Sequence, residues 1–153
     1  MIYRLAGSQS ALHAINLCIL LGIAGIMTEQ IQFLSAHFEM NFIPEEVAME
    51  QSIAILLAAF GVFLEHRRYV LERIYPDAIP EPIQQFDHYS HNIGVMMILI
   101  AILMEALALL FLAFNSWGFN FAGLKYIEIS LLFGINLVAS GMLLKFGIRT
   151  LKI

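Results

Sequence analysis

The sequence predicts an all-α integral membrane protein, a four-helix bundle with both termini in the cytoplasm. The first observation is composition. Of the 153 residues, 60% are hydrophobic and 13% are charged, whereas soluble domains hold about 45–50% apolar and about 25% charged residues. The second is a mean hydropathy of +0.81. The third is the division of the chain into four long apolar stretches. Together they indicate a multi-pass protein of the cell membrane, with the lipid bilayer as its solvent.

The chain length accommodates four crossings and no separate soluble domain, because about 20 apolar residues span the hydrocarbon core of a bilayer. We therefore expect a single membrane domain over residues 1–153. The expected spans lie at approximately 10–36, 45–72, 88–114 and 122–148.

The first two spans have recognisable beginnings. No small-residue cleavage pattern follows the first apolar segment, so we interpret it as a retained anchor rather than a signal peptide. Pro44 suits the first turn of the second helix, and Glu45 and Glu46 suit the positive end of its dipole. The charge-paired residues 65–73 predict that this helix continues past the membrane.

The last two spans are separated by a turn at Trp117 and Gly118. Residues 93–114, in the third span, contain a single charged side chain, Glu105. Small residues mark the faces through which membrane helices approach one another. We expect Gly61 of the second helix and Gly94 of the third to lie on such faces.

Basic residues give the orientation. If four helices alternate in direction, seven of the eight basic residues fall on one side of the membrane and Lys125 alone falls on the other. The positive-inside rule then places both termini and the middle loop in the cytoplasm. The seven residues are Arg4, Arg67, Arg68, Arg73, Lys145, Arg149 and Lys152.

Charge and cysteine content exclude several classes of protein. A net charge of −4 leaves no basic face to neutralise phosphates, so we expect no nucleic-acid partner. The single cysteine, Cys18, excludes an intramolecular disulfide and a thiolate zinc site.

One glutamate on each predicted helix lies at a comparable distance from the outer face of the membrane: Glu29, Glu50, Glu105 and Glu128. Glu105 carries most weight, since an isolated charge at the bilayer centre costs about 2.5–3.5 kcal/mol. We expect the four carboxylates to converge and to bind a cation or carry protons. Oxygen ligands favour Fe, Mn, Mg or Ca. Gln32, His91 and Lys125 are candidates for supporting residues or a proton path.

Two other functions stay open. The chain could be an accessory or structural subunit whose polar residues bind neighbouring helices, either in a homo-oligomer or in a larger membrane complex. It could also be a membrane redox protein that uses a quinone, or haem b held by two of three histidines. That last alternative is the weaker one, and its ligands would come from His13, His66 and His91. Asn136 and Ser140 are expected to form hydrogen bonds between helices.

Overall fold

The computed structural model of the chain describes residues 8–35, 44–119 and 122–151. Arg4 and Lys152, which contribute to the predicted orientation, lie outside these residues. The described part is all-helical and contains no strand. Its five helices are α1 (Gln9–Ser35), α2 (Pro44–Glu65), α3 (Arg67–Ile74), α4 (Glu81–Ser116) and α5 (Ala122–Thr150).

Three of these helices, α1, α4 and α5, are long and apolar enough to cross a membrane. The α2 and α3 helices meet this test only together, and they are bent by 42° relative to each other. By length and composition the described residues therefore hold three candidate spans, or four if α2 and α3 count as one. The prediction of a multi-pass membrane protein is supported at this level.

The helix ends follow local sequence. Ser8 precedes α1 and its Oγ accepts a hydrogen bond from the N–H of Ala11 at 3.2 Å, as expected of an N-cap. Pro82 stands in the first turn of α4, where its missing N–H is tolerated. After α4, Gly118 has a φ of +84°, and this left-handed conformation favours glycine and ends the helix.

The second predicted helix is interrupted, whereas residues 65–73 were expected to continue it. The α2 helix ends at Glu65, His66 forms a turn, and α3 begins at Arg67. His66 Nδ1 lies 3.0 Å from the carbonyl oxygen of Val62, which lies four residues earlier in the last turn of α2. The bend accompanies the burial of the Arg67 side chain against α4.

The helices pack around a core of large aliphatic and aromatic side chains. The α1 helix contacts α2 and α5, and α4 also contacts α2 and α5. The closest approach joins Gly61 of α2 and Gly94 of α4, where a Cβ on either glycine would lie 2.6 Å from the carbonyl oxygen of the other. This contact confirms that both glycines lie on packing faces. Fully buried core residues are Leu12, Ile23, Leu57, Leu64, Leu143 and Phe146.

The outer faces of the helices are also apolar. Leu21, Ile55, Ile102, Leu137 and Ile148 are each more than half exposed within the chain. A soluble domain would cover that side with charge, so this surface is suited to contact with lipid.

Candidate functional site

A buried carboxylate joins three helices near one end of the molecule. Glu50 of α2 is 3% exposed. Its Oε1 accepts a hydrogen bond from Nε2 of Gln30 on α1. The same oxygen accepts a second bond from Nδ2 of Asn136 on α5, at 2.9 Å. Asn136 is 0% exposed, so this amide and the carboxylate are both removed from solvent.

The next residue on α2 extends these contacts to the fourth long helix. Gln51 Nε2 donates to Glu105 Oε1 on α4 at 3.3 Å. Glu105 is half-buried, and the amide of Gln51 is its hydrogen-bond partner among the described residues. We call the group of five polar residues from the four long helices the Glu50 layer: Gln30, Glu50, Gln51, Glu105 and Asn136.

The Glu50 layer retains acceptor capacity. Oδ1 of Asn136 and Oε2 of Glu105 are buried and accept no hydrogen bond from the described residues. Buried oxygens without donors are rare, because desolvation is costly unless a proton or cation compensates it. A carboxylate surrounded by amide groups can accept a proton or contribute oxygen ligands to a cation.

Helix periodicity explains which residue of α1 enters the layer. The buried positions of α1 alternate between spacings of four and three residues, from Leu12 to Phe33. Gln30 falls on this buried stripe, four residues after Ile26. Glu29 is one residue away, or about 100° around the helix, and it is exposed.

The predicted glutamates have different environments. Glu50 and Glu128 are buried, Glu105 is half-buried, and Glu29 is exposed. Glu128 precedes Asn136 by eight residues on α5, about 12 Å along the helix axis. In the described ranges, no three His, Cys, Asp or Glu side chains lie close enough together to hold a metal ion. That finding gives no support to a metal cluster built from carboxylates, and the four-glutamate site stays a prediction.

The supporting residues are also dispersed. Gln32 is exposed on α1, and Lys125 is half-buried near the start of α5. His91 is exposed and lines a groove of about 1400 Å³ at the other end of α4. Its role in a proton path stays a prediction.

The other candidate haem ligands lie in different parts of the fold, His13 on α1 and His66 in the turn between α2 and α3. His13 is half-buried on α1, with Cε1 3.7 Å from the position that a Cβ on Gly147 would take. His66 is exposed and stacks on Tyr69 with ring centroids 6.1 Å apart. The haem site too stays a prediction.

Comparison of the chain with family models, curated proteins and solved structures gave no match. Functional assignment therefore depends on the geometry of the Glu50 layer. Sequence reasoning identified Asn136 as a source of interhelical hydrogen bonds, which is confirmed, and Ser140 Oγ likewise contacts Met27 Sδ of α1 at 3.8 Å. It overlooked Gln30 and Gln51, although the apolar stripe of α1 could have indicated Gln30.

Proposed function

We propose that this chain is a multi-pass protein of the cell membrane, a four-helix bundle with cytoplasmic termini, in which the Glu50 layer binds a proton or a single cation. The observation that carries the proposal is the burial of Glu50 with amide donors from two other helices on one oxygen. An ionised carboxylate is costly in a low-dielectric core even with such donors. A proton or cation at the other acceptor oxygens would offset that cost.

The donor set favours one ion over a cluster of metals. Glu50 and Glu105 supply carboxylates, and Asn136 and Gln30 supply amide oxygens. These are hard oxygen ligands of the type that bind Ca²⁺ or Mg²⁺. Two irons or manganese ions in a helical bundle use more carboxylates together with histidines. The ligand that we propose is therefore a proton or one cation bound by oxygen atoms, and not a metal cluster or haem.

The experiment is a binding measurement on the purified full chain with three variants. Equilibrium dialysis against Ca²⁺, Mg²⁺ or Mn²⁺ measures cation binding, and a pH electrode in weakly buffered detergent measures proton uptake and release. Glu50→Gln keeps the side-chain shape and removes the charge, so we expect cation affinity to fall at least about tenfold and the proton release that accompanies cation binding to be lost. Glu105→Gln should have a smaller effect in the same direction.

Glu72→Gln is the matched control. Glu72 is exposed and pairs with Arg68 at 3.0 Å on the surface of α3, so its loss should leave the binding of cations unchanged. Equal effects of Glu50→Gln and Glu72→Gln on cation affinity, or on the proton release that accompanies cation binding, would contradict the proposal.

A second candidate function is that of a structural subunit that assembles with another copy of itself. One observation favours it. Gly134 and Gly141 lie seven residues apart on an exposed face of α5, and a Cβ on either would meet no atom within 4 Å. Small residues on one exposed face allow close approach of a second membrane helix. Light scattering of the purified chain tests this candidate, which predicts a dimer that Gly134→Leu converts to a monomer.

A further inference from the structure

A second buried charge lies at the opposite end of α2 from the Glu50 layer. Arg67, the first residue of α3, is 2% exposed. Its guanidinium carbon lies 5.0 Å from the centroid of the Phe86 ring. Its Nη1 lies 3.8 Å from Asp87 Oδ1, which is longer than a hydrogen bond. We call Arg67, Phe86 and Asp87 the Arg67 cluster.

The guanidinium of Arg67 has hydrogen-bonding capacity that the protein does not use. Nε and Nη1 are buried and donate to no acceptor among the described residues. A guanidinium carries five N–H donors in one plane. Phe86 covers a face of that plane and leaves the donors at its edge.

Arg67 also lines a cavity of about 470 Å³ between the start of α1, α3 and the start of α4. Ser8, Gln9, Tyr75 and Ile83 are among the other lining residues. Among the described residues that line this cavity, Arg67 is the only charged one. Asp87 lines the larger groove. The volume falls within the range of roughly 300–1,000 Å³ that is usual for small-molecule sites.

The beginning of α1 adds positive potential to the same cavity. Ser8 and Gln9, which line the cavity, are the N-cap and the first residue of this 27-residue helix. The first N–H groups of a helix have no acceptor within it, and the helix dipole places partial positive charge there. Helix N-termini of this kind bind phosphates. The buried Arg67 supplies a full charge independently of the dipole.

We propose that this cavity binds a phosphate group, either on a lipid headgroup or as free inorganic phosphate. The planar guanidinium of Arg67 matches the geometry of phosphate oxygens and can donate two parallel hydrogen bonds to them. The hydroxyl of Tyr75 provides a further polar group in the lining, and Ile83 provides an apolar wall. The site is independent of the Glu50 layer.

The test uses the purified full chain and two probes. Inorganic phosphate is titrated into protein in a phosphate-free detergent solution, with affinity measured by calorimetry. In the second arm, the protein is placed in nanodiscs of a neutral glycolipid with or without phosphatidic acid, and retained lipid is measured by native mass spectrometry. Arg67→Gln should weaken binding of at least one probe about tenfold or more, as expected when a charged hydrogen-bond donor is lost.

Arg68→Gln is the matched control, because the neighbouring Arg68 side chain is 67% exposed and pairs with Glu72. Its effect on affinity should stay within about twofold. Binding of phosphatidic acid alone would identify a lipid site, and binding of inorganic phosphate would identify a site for a soluble ligand. Failure of the wild-type chain to bind either probe would overturn the proposal.

Two further variants keep the test decisive if Arg67→Gln does not fold. Asp87→Asn removes the carboxylate that competes for the guanidinium and should strengthen binding of phosphate. Ile83→Phe narrows the cavity without changing its charge and should weaken that binding about tenfold. A purely structural ion pair would leave phosphate affinity unchanged in both variants, and that result would also overturn the proposal.

Discussion

The two buried charges of this molecule, Glu50 and Arg67, are stabilised in different ways. Glu50 accepts hydrogen bonds from amide donors on two other helices. Arg67 lies near Asp87 without a hydrogen bond, and two of its nitrogens donate to no described acceptor. Similar burial thus accompanies a connected hydrogen-bond network at one end and unused donors at the other. The comparison indicates that burial alone does not distinguish the two charges. The hydrogen bonds that each one makes within the protein distinguish them.

The difference also has a structural consequence. Within the Glu50 layer, the hydrogen bonds to Glu50 join α1, α2 and α5 through side chains that are far apart in sequence, so loss of one of these bonds affects the packing of two helices. The Arg67 cluster joins the start of α3 to α4 through one ring contact and one long ion pair. We therefore expect substitutions in the Glu50 layer to be the more destabilising.

The largest effect on stability is expected from Asn136→Ala. This change removes a donor from the buried Glu50 carboxylate and should lower the free energy of unfolding by about 2 kcal/mol or more. Unfolding in mixed detergent micelles measures that free energy. Ser140→Ala, one turn further along α5, removes only a weak contact to a sulfur atom and should cost below about 1 kcal/mol. Similar losses of unfolding free energy in Asn136→Ala and Ser140→Ala would show that the hydrogen bond to Glu50 adds no more stability than the weak contact of Ser140.

A smaller effect is expected at the Arg67 cluster. Arg67→Met and Asp87→Asn should each cost about 1–2 kcal/mol, because each leaves one buried polar partner uncompensated. The free energy of unfolding of the double variant should lie within about 1 kcal/mol of the wild-type value. The methionine introduced at position 67 can pack on Phe86, and no unpaired buried charge remains. The same micelle unfolding assay closes this double-mutant cycle. A double variant whose loss equals the sum of the two single losses would show that Arg67 and Asp87 are not coupled and would contradict this prediction.

Much of the helical organisation could be predicted from composition and apolar run length. The all-helical character and the membrane-compatible helices follow from these properties. The contact between Gly61 and Gly94 was predictable because glycine is the residue that lets two helix backbones approach. The bend at His66 was not predicted, because the sequence does not show that the next residue, Arg67, packs against the distant Phe86 and Asp87.

The candidate site was harder to predict, because it depends on rotation about each helix axis. On α1, the expected convergence of the carboxylates requires the face of Glu29 to be a packing face. Gly25 on that face has no neighbour within 4 Å of its Cβ position, whereas the β-branched Ile19, Ile23 and Ile26 pack inside. A shift of one residue along α1 therefore places Gln30, and not Glu29, inside the bundle. A charged side chain within an apolar segment is conspicuous in a sequence. The neutral amides that donate hydrogen bonds to Glu50 are less conspicuous.

Infrared difference spectroscopy of the carboxylate bands, recorded on the full chain as acid or a divalent cation is added, tests the role of Glu50 most directly. A carboxylate that binds a proton or a cation changes its stretching frequencies. We predict a difference band in the wild-type chain that is lost in Glu50→Gln and retained in Glu72→Gln. An unchanged band in Glu50→Gln, with the protein still folded, would contradict the assignment of the binding site to Glu50.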